Sequence, residues 1–466
     1  MRVWLILSVA AVLARPGAAH ADDPPDETVK VPVEIDDAGG FSVGSYGRVS
    51  IGTDLRGGTP EPISVVGHGP RIVEPSYLEL DLYYDQPALA DIDVRTVATI
   101  AFMDELAHFS GDFEPTIALR NLYAEAVIKR AVGLWVGSRM YRGDDIYLLD
   151  FWPLDDYNTV GGGGWWKDGP WDIRAHIGAN RLRDPFQFQE IEVPDPEFGS
   201  TTIEQLDRQR FVATATPAYV GPWFKVKLHF DIQALGDGEL RRDDNSIELL
   251  PDDFGFTAGG QVGVWDFGPG GDGPRGSFAN MFVKYSQGLS AFDELDVPEG
   301  LDADKRAFPG AKELLFGLAG NYEFPHGGVQ VGGYSRRFVD ADPNEEDLDD
   351  GWEHVIDLRP YGYLFDGALQ GAIDVSYQKR YPRGFNPTLG NRVVNPSIFQ
   401  IAPMVMFSPR GAGAYTRPHL RLVFSSARLD NGARDQFATE DPRRNHRWVY
   451  FLGLQAEWWF NSSTYE

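Results

Sequence analysis

The stretch that decides the fold is WVYFLGLQAEWWF, which runs from Trp448 to Phe460 near the end of the chain. One alternate set of its residues, from Trp448 to Phe460, is wholly apolar with aromatic residues at both ends. The other set is mixed and includes Gln455 and Glu457. Because successive side chains of a strand point to opposite faces, this segment predicts a strand with one apolar face. A soluble barrel hides such a face inside, whereas a membrane barrel turns it to lipid.

The first residues have the pattern of a secretory signal. Arg2 gives a short positive region, residues 3–13 give an apolar core, and residues 19–21 form a small-x-small cleavage site. We therefore expect a signal peptide over residues 1–21 and an acidic tail over residues 22–40. The apolar core is too short for a membrane-spanning helix, and no later run reaches 18 apolar residues. This pattern excludes helical membrane spans.

The composition indicates a strand-rich exported protein. With 0 Cys, no disulfide stabilises the chain in an oxidising compartment. The net charge of -27 argues against nucleic acid as a partner, since a phosphate backbone would be repelled. The 13% aromatic content, with 52 Gly and 32 Pro, favours many strands and turns over disorder.

Alternating segments and turns recur along the chain. Turn sequences at residues 325–328, 365–367 and 408–411 fall about 40 residues apart, which leaves room for two strands of about 10 residues and a longer loop. This spacing predicts roughly 16–20 strands. We therefore predict an all-β fold, a transmembrane antiparallel barrel over residues 41–460, with a C-terminal tail over residues 461–466.

The predicted inner faces combine aromatic and charged residues. A water-filled lumen has no need of aromatic side chains, but a sugar does, because a pyranose has one apolar C–H face and a rim of hydroxyls. Guanidinium and carboxylate groups can hydrogen-bond that rim. The alternative is that these rings are interface or packing residues. The pairs are Tyr46 with Arg48, Tyr77 with Glu79, Tyr415 with Arg417, and Trp459 with Glu457.

A second charged group lies in residues 137–152, where Arg139, Arg142, Asp144, Asp145 and Asp150 fall close together. As a pair of carboxylates, Asp145 and Asp150 could indicate glycoside hydrolysis. A loop with both charge signs that folds into a lumen would instead form a constriction. The spacing alone leaves both interpretations open.

This charged segment also carries a family resemblance. LWVGSRMYRGDDIYLLDF, from Leu134 to Phe151, resembles the strand and inward-folded third loop of the maltoporins, the sugar-specific trimeric porins. Residues 44–48 resemble the first strand of that family, and residues 453–460 resemble its closing strand. Arg359-Pro360 and YTRPHLR, residues 415–421, also look like family strands.

The resemblance implies an 18-stranded, trimeric barrel with a line of aromatic residues flanked by polar tracks. Trp152 takes the place of a constriction tyrosine, and Arg142 lies beside Gly143, where the family has an arginine. The implied aromatic positions are Tyr46, Tyr77, Phe278, Tyr415 and Trp459, with Phe113 in place of an aromatic residue that a neighbouring subunit contributes. The implied polar positions are Arg48, Arg71, Glu79, Arg120, Arg142, Asp145 and Asp150.

Together, the residues and the resemblance predict an outer-membrane carbohydrate porin. We expect facilitated diffusion of maltodextrins or similar oligosaccharides, without covalent chemistry, cofactor or metal. The expected partners are the sugar, outer-membrane lipid and further copies of the chain. A porin for another sugar such as sucrose, and a general diffusion porin, are close alternatives. An outer-membrane enzyme or an adhesin is an alternative of a different class.

Overall fold

The computed structural model describes residues 39–89, 91–104, 106, 111, 115–183, 186–270, 276–292, 307–339, 350–383 and 394–463. The predicted signal peptide, nearly all of the acidic tail, Phe113 and residues 464–466 lie outside these ranges. The strands are β1 (Gly40–Thr53), β2 (Tyr77–Leu89), β3 (Ile92–Asp104), β4 (Pro115–Ile128), β5 (Val132–Arg142), β6 (Asp156–Asp168), β7 (Trp171–Asn180), β8 (Phe188–Asp195), β9 (Gly199–Asp207), β10 (Arg210–Val220), β11 (Phe224–Leu235), β12 (Gly238–Arg241), β13 (Ile247–Leu250), β14 (Asp253–Trp265), β15 (Phe278–Gly288), β16 (Lys312–Phe324), β17 (Gly327–Val339), β18 (Gly351–Leu364), β19 (Leu369–Pro382), β20 (Ser397–Phe407), β21 (His419–Leu429) and β22 (Trp448–Phe460). Helical structure in the described ranges comprises α1 (Asn431–Asp435) and short 3₁₀ turns at Tyr147–Leu149, Phe365–Gly367 and Pro442–Asn445.

None of the helices in these ranges is long and apolar enough to cross a membrane.

Eighteen strands form one closed antiparallel sheet. Each pairs with the next in chain order, except that β7 pairs with β10 and β11 with β14, because β8–β9 and β12–β13 are separate hairpins within loops. The last strand, β22, pairs with β1 and closes the barrel. Closure leaves no unpaired sheet edge, so all backbone groups of the wall can be satisfied internally. The predicted all-β barrel is confirmed.

The two ends of the barrel have different connections. All three turn sequences singled out above lie at one end, the short-turn end, where residues 325–326 join β16 to β17, residues 365–368 join β18 to β19, and residues 408–418 join β20 to β21. The other end, the long-loop end, includes the first loop, residues 54–76, and the third loop, residues 143–155. Short turns at one end and long loops at the other are typical of outer-membrane barrels.

The alternation in β1 and β22 fixes which face each residue presents. Tyr46 pairs with Trp459 in the antiparallel register, and both face the lumen. Trp458 faces outward, where its indole Nε1 donates to Ser45 Oγ at 3.2 Å and its ring covers Gly47. Phe460 is also outward and 52% exposed. A slip of one residue would exchange these faces, so the period-2 pattern specifies the register.

A β-bulge at Arg120 interrupts the alternation of β4. Ile100 pairs with Leu119 and Thr99 pairs with Asn121, so Arg120 is an extra residue. Leu119 is exposed on the outer surface, whereas the side chains of both Arg120 and Asn121 contact lumen residues. Bulges re-aim side chains in this way. The extra residue directs a guanidinium into the lumen next to β2.

The third loop crosses the lumen, as the sequence predicts. Its side chains from Ile146 to Leu149 are buried. Ile146 and Leu148 pack against Gly332 of β17 on the far wall, where a Cβ atom would lie 2.9 Å from Ile146 Cγ2. On the near side, Lys225 Nζ binds Asp144 Oδ1 at 2.7 Å and Lys227 Nζ binds Asp155 Oδ2 at 2.8 Å. The loop is therefore fastened to the wall at both ends of its crossing.

The first loop also crosses the lumen, which the sequence analysis did not predict. The backbone N–H of Gly67 donates to Glu353 Oε2 at 3.1 Å, and that of His68 donates to the Tyr334 hydroxyl at 3.0 Å. The His68 ring stacks on Phe151 of the third loop with a centroid separation of 4.0 Å. The N–H of Arg71 donates to the carbonyl of Leu148 at 3.0 Å. The two loops therefore form one joined layer inside the barrel.

Candidate functional site

A row of aromatic rings begins where β2 meets the first loop. Tyr77 is the first residue of β2, and its ring centroid lies 6.0 Å from that of Tyr46 on β1. Tyr46 is in turn paired with Trp459 on β22. Since β1 pairs with β2 on one side and with β22 on the other, the three residues lie side by side around the wall of the closed barrel.

The row continues through the third loop to the short-turn end. The ring of Tyr147, at the start of a 3₁₀ turn in this loop, lies 6.3 Å from Trp459 and 5.4 Å from Tyr415. The ring of Phe278, the first residue of β15, lies 5.9 Å from that of Tyr415. We call these six residues the aromatic row: Tyr77, Tyr46, Trp459, Tyr147, Tyr415 and Phe278.

A buried carboxylate organises the charged groups beside this row. Glu457 of β22 is contacted by Arg71 Nη2 at 3.1 Å, by Arg417 Nη2 at 3.0 Å and by Arg421 Nη2. The Tyr147 hydroxyl donates to Glu457 Oε2 at 2.6 Å. Arg417 also lies over the Trp459 ring, 3.8 Å from its centroid. In this Glu457 cluster, three guanidinium charges share one carboxylate of the barrel wall.

Arg71 connects this cluster to a second group of charges nearer the long loops. Its Nη2 donates to the Tyr46 hydroxyl at 2.9 Å, and its Nε binds Glu74 Oε1 at 2.8 Å. Arg48 binds both Glu74 Oε1, at 2.8 Å, and Asp150 Oδ2, at 2.9 Å. Burial opposes ionisation of Asp150, but the nearby charges of Arg71 and Arg48 outweigh it and hold the pKa of this carboxyl well below its usual range. Asp150 is therefore an anion at neutral pH.

A third group surrounds the first ring of the row. The Tyr77 hydroxyl donates to Glu79 Oε1 at 2.5 Å. Arg120 Nη1 binds the same Glu79 oxygen at 2.5 Å and also contacts the Tyr77 hydroxyl. The β-bulge of β4 places this guanidinium, and Glu79 on β2 balances its charge. Donor and acceptor groups thus lie at the edge of the Tyr77 ring.

The remaining predicted constriction residues are Arg142, the last residue of β5, and Asp145 and Trp152 of the third loop. Arg142 Nε binds Asp156 Oδ1 at 2.5 Å, and its guanidinium stacks on Trp152, 3.8 Å from the ring centroid. Asp145 lies near the other end of the aromatic row. Burial and the charge of Asp145 raise the pKa of the Tyr415 phenol, which therefore stays protonated. Asp145 thus acts on Tyr415, whereas Asp150 pairs with Arg48 and Arg71.

The structure therefore joins all the predicted aromatic residues except Phe113, which lies outside the described ranges. Arg48, Arg71 and Asp150 come together, as do Glu79 and Arg120. Sequence reasoning missed Tyr147 as the central ring, although it lies within the segment that resembles the maltoporin loop. It also missed Glu74 and the lumen-crossing path of the first loop, for which the sequence shows no periodic pattern.

A comparison with protein families identifies the family to which this chain belongs. A model of the LamB porin family matches residues 41–460. The chain belongs to the LamB porin family. Porins are channel-forming barrels of the bacterial outer membrane, and this porin is therefore an outer-membrane channel. No curated protein matches its sequence significantly.

Several solved structures have a similar backbone trace. OccK3 (OpdO) of Pseudomonas aeruginosa has 11% identity and a TM-score of 0.47, over 91% of this chain and 96% of that chain. OccAB2 of Acinetobacter baumannii has 9% identity and a TM-score of 0.47, over 92% and 99% of the two chains. OccK2 (OpdF) of Pseudomonas aeruginosa, in complex with glucuronate, has 12% identity and a TM-score of 0.47, over 90% and 98%. At these values the similarities carry no inference about what this porin transports.

Proposed function

We propose that this porin conducts oligosaccharides by facilitated diffusion, and that maltodextrins or sugars of similar shape are its substrates. The observation that carries the proposal is the aromatic row. Its six rings come from six separate parts of the chain, and each contacts or neighbours the next within the lumen. Packing of the wall alone does not require rings in a line, whereas a chain of pyranoses does.

The charged groups beside the row have the chemistry that a sugar rim needs. An apolar pyranose face can stack on a ring, while its hydroxyls accept from guanidinium groups and donate to carboxylates. Tyr77, Trp459, Tyr415 and Phe278 are half-buried and keep part of their surface open, whereas Tyr46 is only 3% exposed. Tyr46 therefore supports Tyr77 and Arg71 from behind, and the half-buried rings would contact the sugar.

Weak, repeated contacts suit a channel better than one tight site, because a conducting site must release what it binds. We assign the polar-track role to Arg48, Arg71, Glu79, Arg120 and Asp150. Arg142, Asp145 and Trp152 would shape the constriction of the third loop. Phe113 would complete the row from a neighbouring copy in a homotrimer.

The processing of the chain belongs to the same proposal. Residues 1–21 would direct export and be removed, and residues 22–40 would remain as an acidic tail before the barrel. The segment from residue 461 onward would form a short tail at the short-turn end.

The alternatives receive less support. A porin for another sugar, such as sucrose, would use the same rings with different polar contacts, and a general diffusion porin would leave the row without a joint role. A Gly-x-Ser-x-Gly arrangement does occur at residues 40–44, but it lies within β1 and not at the strand-to-helix turn that a hydrolase nucleophile requires. We infer that the protein performs no covalent chemistry.

Sugar block of ion current tests the proposal. Purified protein in a planar lipid bilayer should show an ion current that decreases stepwise, or that becomes noisier, as maltose, maltotriose and longer maltodextrins are added. Block should strengthen with sugar length until the row is filled. Current that is indifferent to every neutral oligosaccharide, including sucrose, would identify a general diffusion porin.

A further inference from the structure

A polar cavity of about 10 Å³, which has room for one water-sized group, lies beside the aromatic row, near the short-turn end. Tyr147 of the row forms part of its lining, and Arg417 reaches it from the turn that also carries Tyr415. Its polar wall also includes Arg359 of β18, Arg421 and His419 of β21, and Gln330 of β17. A molecule that moves along the row toward the short turns would pass this cavity.

The lining of the cavity is positively charged. It includes three arginines, and among the described residues it contains no aspartate or glutamate. Carboxylates stand behind the arginines: Asp374 Oδ2 binds Arg359 Nε at 2.8 Å, and Glu457 binds both Arg417 and Arg421. Arg417 and Arg421 therefore share a single contacting carboxylate, which Arg71 also contacts.

Several nitrogens of this wall have unused hydrogen-bonding capacity. Arg359 Nη2, Arg421 Nε and His419 Nε2 are buried and have no hydrogen-bond partner among the described residues. The three residues are 3%, 6% and 3% exposed. A guanidinium N–H can only donate, so two of these atoms require an acceptor. Buried donors without acceptors are rare in proteins and call for an explanation.

We propose that the arginines of this cavity bind the anionic group of an acidic sugar, a carboxylate or a phosphate, with one oxygen of that group inside the cavity, as the sugar moves off the aromatic row. The inference rests on the proposed function, because it assumes that the row carries sugars. An oxyanion supplies several acceptor lone pairs and a negative charge, and both match the lining. A sugar hydroxyl or a single water could accept one hydrogen bond but would leave the charge unbalanced.

The test is block of ion current through the full-length porin in a planar bilayer. The acidic probes are trigalacturonate, which carries carboxylates, and glucose 6-phosphate. Maltotriose and glucose are the neutral probes of matching size. We expect each acidic probe to block at a concentration at least tenfold below that of its neutral counterpart. Inorganic phosphate and acetate, added alone, show whether the anion binds without a sugar ring.

A near-isosteric charge change locates the site. Gln330→Glu places a carboxylate in the cavity, where it would occupy the ligand's position among the arginines. We expect this variant to lose the preference for acidic probes at least tenfold, while maltotriose block changes less than twofold. Gln400→Glu is the matched control, because Gln400 is buried on β20, bonds to Ser425 and is not part of the lining. Its acidic preference should remain.

The outcomes separate the two proposals. If maltotriose blocks and neither acidic probe blocks more strongly, the anion site is refuted and the sugar porin stands. If acidic probes alone block, the anion site is supported and the maltodextrin assignment fails. If no probe blocks, both proposals fail. An unchanged preference in folded, conducting Gln330→Glu channels would show that the cavity is only a water-filled gap.

Discussion

The hydroxyl of Tyr147 donates a hydrogen bond to Glu457 Oε2 at 2.6 Å, and this contact joins the third loop to the last strand of the barrel. The same carboxylate receives Arg71 from the first loop at 3.1 Å. One side chain of the wall therefore holds both lumen-crossing loops. The position of Tyr147 in the aromatic row depends on it.

Glu457→Gln should destabilise the barrel strongly. The substitution removes the negative charge that Arg71, Arg417 and Arg421 share, and breaking a buried ion pair by removing one partner costs about 3–5 kcal/mol. The measurement is the urea dependence of unfolding in lipid vesicles, followed by tryptophan fluorescence. Glu190→Gln, on the exposed hairpin strand β8, is the control and should unfold like the wild type. Equal midpoints for both variants would mean that the cluster is not a stabilising element.

Tyr77→Ala should weaken maltodextrin block about fivefold. A stacked ring contributes on the order of 1 kcal/mol, and 1.4 kcal/mol is a factor of ten in affinity. Small-ion conductance should stay equal or rise, because the lumen widens. Tyr77→Phe keeps the ring and should retain most of the block. Tyr450→Ala, on the outer face of β22, should leave sugar block alone, and a loss there equal to that of Tyr77→Ala would count against the row.

The ion pairs of Asp150 should make stability depend on pH only in acid. The folded-state pKa of this carboxyl is depressed below its unfolded value of about 4, so its contribution is fully present above that pH and is lost as the pH falls further. Comparison of the wild type with Asp150→Asn in urea unfolding should give a constant difference from pH 7 to about pH 5. The difference should shrink below about pH 4. A difference that shrinks already between pH 7 and pH 5 would contradict the depressed pKa.

Gly332→Val should displace the third loop from the far wall. A Cβ atom at this position would lie 2.9 Å from Ile146 and 3.1 Å from Leu148, and overpacking of this kind costs about 1–3 kcal/mol. We expect lower stability and a changed, noisier single-channel conductance. Gly371→Val is the control, since nothing lies within 4 Å of the Cβ position there. Identical conductance in the two variants would show that the loop does not rest on Gly332.

The sequence was sufficient for the wall of the barrel because the wall follows a local rule. The alternation from Trp448 to Phe460 determines which face is apolar, and the observed outward position of Trp458 follows from it. The bulge at Arg120 breaks the rule, yet it has a local signal: two polar residues, Arg120 and Asn121, stand between Leu119 and Leu122. That doubling could have been found without a structure.

The interior of the barrel follows no such rule. The first loop crosses the lumen through contacts with residues nearly 300 positions away, such as Gly67 with Glu353. Its glycines and prolines are equally typical of an exposed loop. Tyr147 likewise has no local feature that separates it from its neighbours, since its partners Trp459 and Tyr415 are brought to it only by closure of the sheet.

The Glu457 cluster has a consequence for how the chain assembles. Arg71 is 386 residues from Glu457, and Tyr147 is 310 residues away. Contacts this distant form late, because a long segment must be ordered before they stabilise anything. A barrel that lacks its final strand would hold three arginines without their shared counter-charge. Glu457 reaches these arginines when β22 has paired with β1. The cluster therefore favours the fully closed barrel over a partly inserted one.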